Sequence, residues 1–413
     1  MPAFFRFLAG SCWLLSLGSS PGLLACASHH ATGEAKLVIT HGGTYSGTYA
    51  STESGVACIR VATREPVVLD GCQLRGPGNL IEAGEGADLT VRNCRGQGLP
   101  PTRDKQAPGR FLDAYKAQRL TIEHNQFAQT SGIVVNRWTP AESPATPGAP
   151  GPTLTVRYNV ATNIDGRWRN GTSSGGEGFT RASFLQLNTV QHLAGVDIAF
   201  NQVLNLPGES RVEDNINFYN SSGTAASPLH VHDNFVRGGY PIPATAKDSF
   251  TGSGLTTDGD ATTSETTTAY LEADHNQFVG IGNAAMNIAA GHDIYYHDNR
   301  LVSSGLLPNG QPFFAGFAGL GVANYYKQKP ALFFNHRVAN NIIGYVRWGG
   351  HEPYDNRQDL APDACAPCAA TIHLPSPITL ATENQEWLGW LAKVRQHRVV
   401  LGPVARPGHP ARP

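Results

Sequence analysis

The sequence predicts an all-β chain: a right-handed parallel β-helix, a single solenoid of about nine or more coils, with a short C-terminal helix. Three observations lead there. A short phrase ending in asparagine recurs along the chain, the gaps between its copies stretch and shrink, and apolar residues alternate with polar ones inside each copy. LTIEHNQF at 120–127 and LEADHNQF at 271–278 display the register, with Asn at position zero and apolar residues at minus five, minus three and plus two.

The phrase repeats in LTVRYN (154–159), VDIAFN (196–201), LHVHDN (229–234) and DIYYHDN (293–299), ending in Asn159, Asn201, Asn234 and Asn299, and in RVANN, ending in Asn341. LTVRNC and VVLDGC keep the apolar spacing but place Cys94 and Cys72 at position zero. Nine rungs result, 22 residues apart at the closest (94 − 72) and 42 at the widest (201 − 159). A fixed phrase with elastic gaps marks a solenoid, because each unit buries its apolar face only against its neighbours. The shortest gap is the bare coil, and the excess in the others is loop.

Period-two alternation makes each phrase a strand. About ten residues upstream lies a second alternating stretch, as in NLIEAGE (79–85), FLDAYK (111–116), INFYN (216–220), GLTTD (254–258), AMNIA (285–289) and VANYY (322–326). A coil is therefore a first strand, a second strand, the Asn turn, and a short third strand carrying position plus two. Asparagine suits that turn because it tolerates left-handed backbone angles, and stacked amides can bond along the axis at the ~4.8 Å strand spacing.

On this register the chain resembles the pectate-lyase-like (pectin lyase fold) β-helix superfamily over roughly residues 37–345. The resemblance implies a ligand groove along the outer face of the first strands, walled by the loops that enter and leave them. It transfers no activity. Arg75-Gly76-Pro77 starts the pectate lyase pattern Arg-x-Pro-x-x-Arg, but Leu80 stands at its closing position, and the adjacent aspartates of polygalacturonases are absent.

Composition agrees with many strands and turns: 46 Gly, 28 Pro and 15% charged residues. A net charge of −1 without a long basic run argues against a nucleic-acid partner. Residues 1–26 read as an export signal, with Arg6, an apolar stretch, and Leu23-Leu24-Ala25-Cys26 resembling a bacterial lipobox in which Cys26 is lipidated. The expected location is the outer membrane or cell surface, through that lipid anchor alone. Ordinary cleavage after Ala25-Cys26-Ala27 would instead give a periplasmic or secreted protein.

The β-helix is expected over 33–345 and a tail over 346–413. Within the tail, a Thr382/Gln385 capping box and the spacing of Trp387, Leu388, Leu391 and Val394 predict a helix at about 382–397 that covers an open end of the solenoid. Cys365 and Cys368 form a local disulfide in this reading, Cys72 and Cys94 are either bridged or buried thiols, and Cys58 is left over.

The first-strand residues that face outward form a column of amides, acids and tyrosines. Asp113, Tyr115, Asn136, Gln186, Asn188, Asn217 and Asn287 are expected to bind substrate, with Glu82, Thr256 and Tyr325 on the same face. Mixed donors and acceptors beside flat rings suit a polysaccharide. The loops entering the first strands are long and locally basic, with Arg95, Arg103, Lys105 and Arg110 in one and Arg167, Trp168, Arg169 and Arg181 against Asp165 and Glu177 in another. That charge points to an acidic glycan.

Tyr219, Asp258, Glu213 and Arg181 are the expected catalytic residues, with Asp214 beside them, and Asp258 with Asp260 could hold calcium. Two other constellations compete: His230, His232, Glu272, Asp274 and His297 on the second strands, for a divalent metal or a structural charge ladder, and the pair Glu82 and Asp113, for glycosidase chemistry. The reading is an exported polysaccharide-active β-helix protein, a lyase or related carbohydrate enzyme, with a noncatalytic glycan-binding or envelope scaffold protein as the alternative.

Overall fold

The computed structural model describes residues 35–139, 153–171, 178–247, 249, 251–355, 365–369 and 371–404. Cys26, the whole export segment and Glu177 lie outside the described residues. Among those described, three sheets of 10, 11 and 12 strands run the length of the molecule, and up to Ile342–Trp348 every third strand in chain order falls in the same sheet. Neighbours pair in parallel from Leu37–Ile39 onward, apart from the antiparallel Pro353–Asp355 on Ile342–Trp348. This is the parallel β-helix that the register predicts. Inward residues of all three sheets meet in one continuous core, which includes Leu120, Ile122, Phe127, Leu271, Ala273 and Phe278, all at most 1% exposed.

Position zero explains the stacking. Asn125 Nδ2 donates to Asn159 Oδ1 at 3.0 Å, Asn159 to Asn201 at 2.9 Å, and Asn201 to Asn234 at 2.9 Å. Asn234, Asn276 and Asn299 continue the series to Asn341 at 2.9–3.0 Å. The second Nδ2 proton of Asn201 goes back to the Val156 carbonyl, and Asn234 Oδ1 also accepts the Asn201 backbone N–H at 3.0 Å. Two donors and two lone pairs are thus all used, which is the full capacity of a carboxamide. Burial is complete, at 0–1% exposure, so each missing bond would leave a desolvated polar atom.

The left-handed backbone angle sits one residue earlier than expected. Asn93, His124, Tyr158, Phe200, Asp233, His275, Asp298 and Asn340, all at position minus one, have φ of 51–58°, and none of the ladder asparagines does. Such angles cost roughly 1 kcal/mol or more in a residue with a Cβ. Asparagine is therefore at position zero for its side-chain bonds, and those bonds hold the preceding residue in its unfavourable conformation.

Upstream the ladder ends at Cys94, whose N–H donates to Asn125 Oδ1 at 2.9 Å. Cys58, Cys72 and Cys94 are buried thiols outside any disulfide, which settles the open pairing of Cys72 and Cys94. The hydrogen bond with Cys72, reinforced by burial, holds the Cys94 thiol far above its ordinary pKa. Cys365 and Cys368 are bridged as expected. Their strand, Cys365–Ala369, pairs in parallel with Phe334–Ala339 and carries the second sheet past residue 345.

The helix spans Leu380–Gln396, and its capping box is Thr379 with Thr382, three residues before the expected one. It lies on the flank of the third sheet and not over an open end. Trp390 is fully buried, stacked on Phe235 with centroids 5.7 Å apart, whereas Leu388 is 53% exposed. Glu386 accepts from Arg300 at 2.6 and 2.7 Å, and Glu383 from the Ser304 N–H and hydroxyl at 2.7 Å. These buried carboxylates fix the helix on the sheet where apolar spacing alone did not.

Asn201→Leu and Asn234→Leu should each lower stability by ~1–3 kcal/mol, because either change strands ladder partners on both neighbouring rungs. Chemical denaturation midpoints measure the effect, and unchanged midpoints would contradict the role of the ladder.

Candidate active site

The first sheet presents two parallel outward rows. Asp113, Val134, Gln186, Asn217, Thr256, Asn287 and Gly321 are successive register partners in one, and Tyr115, Asn136, Asn188, Tyr219 and Asp258 in the other. All the expected outward residues fall in these rows except Tyr325. The strand there is Gly316–Val322, four residues upstream of the expected stretch, so Gly321 occupies the outward position and Tyr325 falls in the turn that follows. The glycine leaves room, since a Cβ would sit 3.0 Å from Asn287 Oδ1.

The rows converge on a cleft between the strands Asp214–Tyr219, Ser253–Asp258 and Asn283–Ile288. Glu213, Asp214, Thr256, Asp258, Asn287, Tyr325 and Tyr326 line a groove of about 380 Å³, and Arg181, Gln186, Asn217 and Tyr219 line its continuation. The four expected catalytic residues are thereby brought together. Of the expected binding residues, Gln186, Asn217 and Asn287 join them.

Asp214 anchors the network. Asn217 Nδ2 and Thr256 Oγ1 each donate to it at 2.8 Å, Asn217 reaches Asp258 at 3.4 Å, and Gln186 Nε2 donates to Asn217 Oδ1 at 3.3 Å. Burial, then the nearby charges of Glu213 and Asp258, pushes the Asp214 carboxyl up to about 7. Glu213 is also raised by burial, against the pull of Arg181 and Arg211. Asp258 is raised by burial too, but hydrogen bonds from Tyr326, Asn217 and the Gly259 N–H favour its ionised form. Burial and Asp258 hold the Tyr326 phenol far above its ordinary pKa, so it stays a proton donor. The cleft thus sets a protonated carboxyl beside ionisable ones, an arrangement that separates acid and base roles.

Buried acceptors remain for a ligand. Gln186 Oε1 and Asn287 Oδ1 have no protein hydrogen-bond partner, though both residues are buried on this face. Tyr325 and Tyr326 expose 56% and 39% of their surface at the rim, as flat surfaces for a sugar ring.

Parity hid Asp214. It shares the outer face with Asn217 because Asn215 and Ile216 between them both turn inward, and Asn215 is fully buried on the Gly238 and Ser253 carbonyls. Tyr326 was hidden by the four-residue register error, and Arg211 lies in a loop, stacked on Phe179 at 3.6 Å.

The remaining expected residues lie elsewhere. Asp260 is exposed and accepts from Asn220 at 3.0 Å, outside the groove that Asp258 lines. Asp113 and Asn136 line a separate depression with Lys105, Arg110 and Trp168. Glu82, on the strand before Asp113, is ion-paired to Arg60 at 3.0 Å, and Asn79 links Glu82 to Asp113 at 3.1 and 3.4 Å. Tyr115 lies under Lys116, and Asn188 accepts from Thr189. Much of the basic charge in the loops is engaged: Arg167 with Asp165, Arg169 with Asp104, Arg110 with the Ser131 and Arg181 carbonyls.

On the second sheet, Asp70, Arg92, Glu123 and Arg157 are successive partners in an alternating charge ladder. His232, Asp274 and His297 continue that face.

The Asp214 carboxyl titrates near 3.8 when exposed and near 7 when folded, so the native state binds the extra proton between those values. Stability then falls as pH rises through that window. Asp214→Asn should reduce the fall and raise the melting temperature at pH 8 more than at pH 4, as thermal unfolding at both pH values would show. An equal shift at both would contradict the buried proton.

No protein-family model matches the chain, and no curated protein does. Among solved structures it is similar to a mannuronic acid specific polysaccharide family 6 lyase enzyme from human gut microbiota, at 11% identity and a TM-score of 0.37, over 90% of this chain and 92% of that one. The fold itself, three parallel sheets traversed in turn along a buried asparagine ladder, is a parallel β-helix.

Proposed function

We propose that the protein cleaves glycosidic bonds of a polysaccharide in the cleft formed by Glu213, Asp214, Asp258, Tyr219 and Tyr326. The observation that carries this reading is the buried Asp214 carboxyl, raised to about 7 within a network shared with Asp258. Asp214 supplies the proton to the leaving oxygen, Asp258 accepts one from water, and Tyr219 and Tyr326 position the sugar. Three carboxylates against Arg181 and Arg211 favour hydrolysis over elimination, since elimination from a uronate needs cations around the sugar carboxylate. The sugar between the acids is a neutral one, and acidic residues of an acidic glycan are met by Arg181 at the cleft edge and by Lys105 along the same face.

Asp258→Asn and Asp214→Asn should each lower cleavage by roughly 100- to 10,000-fold, with Tyr219→Phe also impaired and His232→Ala active. Product analysis on neutral and acidic polysaccharides measures this and separates the chemistries, because elimination leaves an unsaturated sugar end and hydrolysis does not. Retention of polymer without any cleavage would favour a binding protein.

Export and anchoring through Cys26 belong to the same proposal, and the Cys365–Cys368 disulfide supports an oxidising compartment. Cys26→Ser should move the protein from the membrane to the soluble fraction. An unchanged distribution would favour plain secretion.

A further inference from the structure

Apart from the cleft, the outer face of the second sheet carries a compact set of nitrogen and oxygen donors. His230 lies on the strand Leu229–His232, Glu272 and Asp274 on Ala269–Asp274, and His297 on His292–His297, three adjacent strands. The register sets His230 beside Glu272 and Asp274 beside His297. The hydrogen bonds run along the diagonals instead. His230 Nε2 is 2.7 Å from Asp274 Oδ2, and His297 Nε2 is 2.9 Å from Glu272 Oε1 and 3.9 Å from Asp274 Oδ2. Ligand atoms of Glu272, Asp274 and His297 all lie within 4.8 Å of one another, a grouping found nowhere else among the described residues.

The geometry points to a divalent transition-metal site of the zinc class, formed by Glu272, Asp274 and His297 with His230 as the next donor. Imidazole and carboxylate are the ligands such ions take in tetrahedral sites. A second observation concerns the atoms behind these donors. His297 Nδ1 is held 2.7 Å from Asp298 Oδ2, and Asp274 Oδ1 2.7 Å from His275 Nδ1. Outer partners of this kind fix the ring and the carboxylate so that the remaining atoms face the ion.

His232 on the same face has the same kind of partners, Asp197 at 3.2 Å and Asp233 at 3.0 Å, but its donors belong to no group of three within reach of one another, and Asp70 pairs with Arg92 at 3.3 Å. An ion at Asp274 would clasp adjacent rungs from the side, on a different sheet from the carboxylate cleft.

Zinc titration of the full chain by calorimetry tests the proposal, with circular dichroism showing that each variant is folded. Saturable binding is expected, weakened about tenfold or more in Asp274→Asn, His297→Gln and Glu272→Gln, and unchanged in His232→Gln and Asp258→Asn. Cobalt in place of zinc should give visible absorption that the His297→Gln variant lacks. Absence of saturable binding, equal binding in folded Asp274→Asn and His297→Gln, or loss only in Asp258→Asn would overturn it.

Discussion

The structure depends on one repeated interaction, the amide of a buried asparagine that donates to the next asparagine and to the carbonyl of the rung behind it. Because every donor and acceptor of each amide from Asn159 to Asn299 is used, a shift along the axis or a tilt of one coil on another would leave buried polar atoms unpaired. It also supports a strained residue before each asparagine, such as Phe200 with φ of 51° and Asp233 with φ of 51°. Coil lengths can then vary freely. From Asn276 to Asn299 the ladder advances over 23 residues and from Asn299 to Asn341 over 42, with the same bond lengths of about 3 Å. The excess chain leaves as loop, and lengthening a loop adds little entropy cost once the ladder is closed.

That rigidity is what makes a site possible on the outer face of the first sheet. Strands about 4.8 Å apart carry side chains in two straight rows, so Asn217 can bridge Asp214 and Asp258 while Thr256 bonds the other Asp214 oxygen. The carboxylates are held close in a desolvated cleft: burial raises the pKa of both Asp214 and Asp258, and the charges of Glu213 and Asp258 raise Asp214 further. The second sheet shows the contrasting solution. There, opposite charges alternate and pair, as between Asp70 and Arg92, and the Asp274 carboxyl is held down at about 2 by His230 and His275 despite its burial. Two faces of one solenoid, both acidic in part, therefore differ in how far pairing offsets burial: Arg181 and Arg211 do not bring Glu213 back to its ordinary range, whereas the partners of Asp274 more than offset its burial.

Much of this was legible in the sequence because the β-helix signal is local. The phrase LHVHDN carries strand, turn and ladder residue together, and the outward row follows from counting back to INFYN and GLTTD. The count failed where local order breaks. A single departure from alternation at Asn215 removed Asp214 from the expected face, and the shift between VANYY and the real strand Gly316–Val322 exchanged Tyr325 for Gly321. The helix was found by its period, but its position was not, because Glu383 and Glu386 bond to Ser304 and Arg300, residues some 80 positions away. Spacing reports which residues share a face; it does not report which buried charge finds which partner across the chain.

The most direct measurement is a crystal structure of the Asp258→Asn variant with a bound oligosaccharide. The account predicts a sugar stacked against Tyr326 or Tyr325, its glycosidic oxygen within hydrogen-bond reach of Asp214 and its hydroxyls on Gln186 Oε1 and Asn287 Oδ1. An oligosaccharide seated instead in the depression of Lys105, Asn136 and Trp168, with the Asp214 cleft unoccupied, would contradict it.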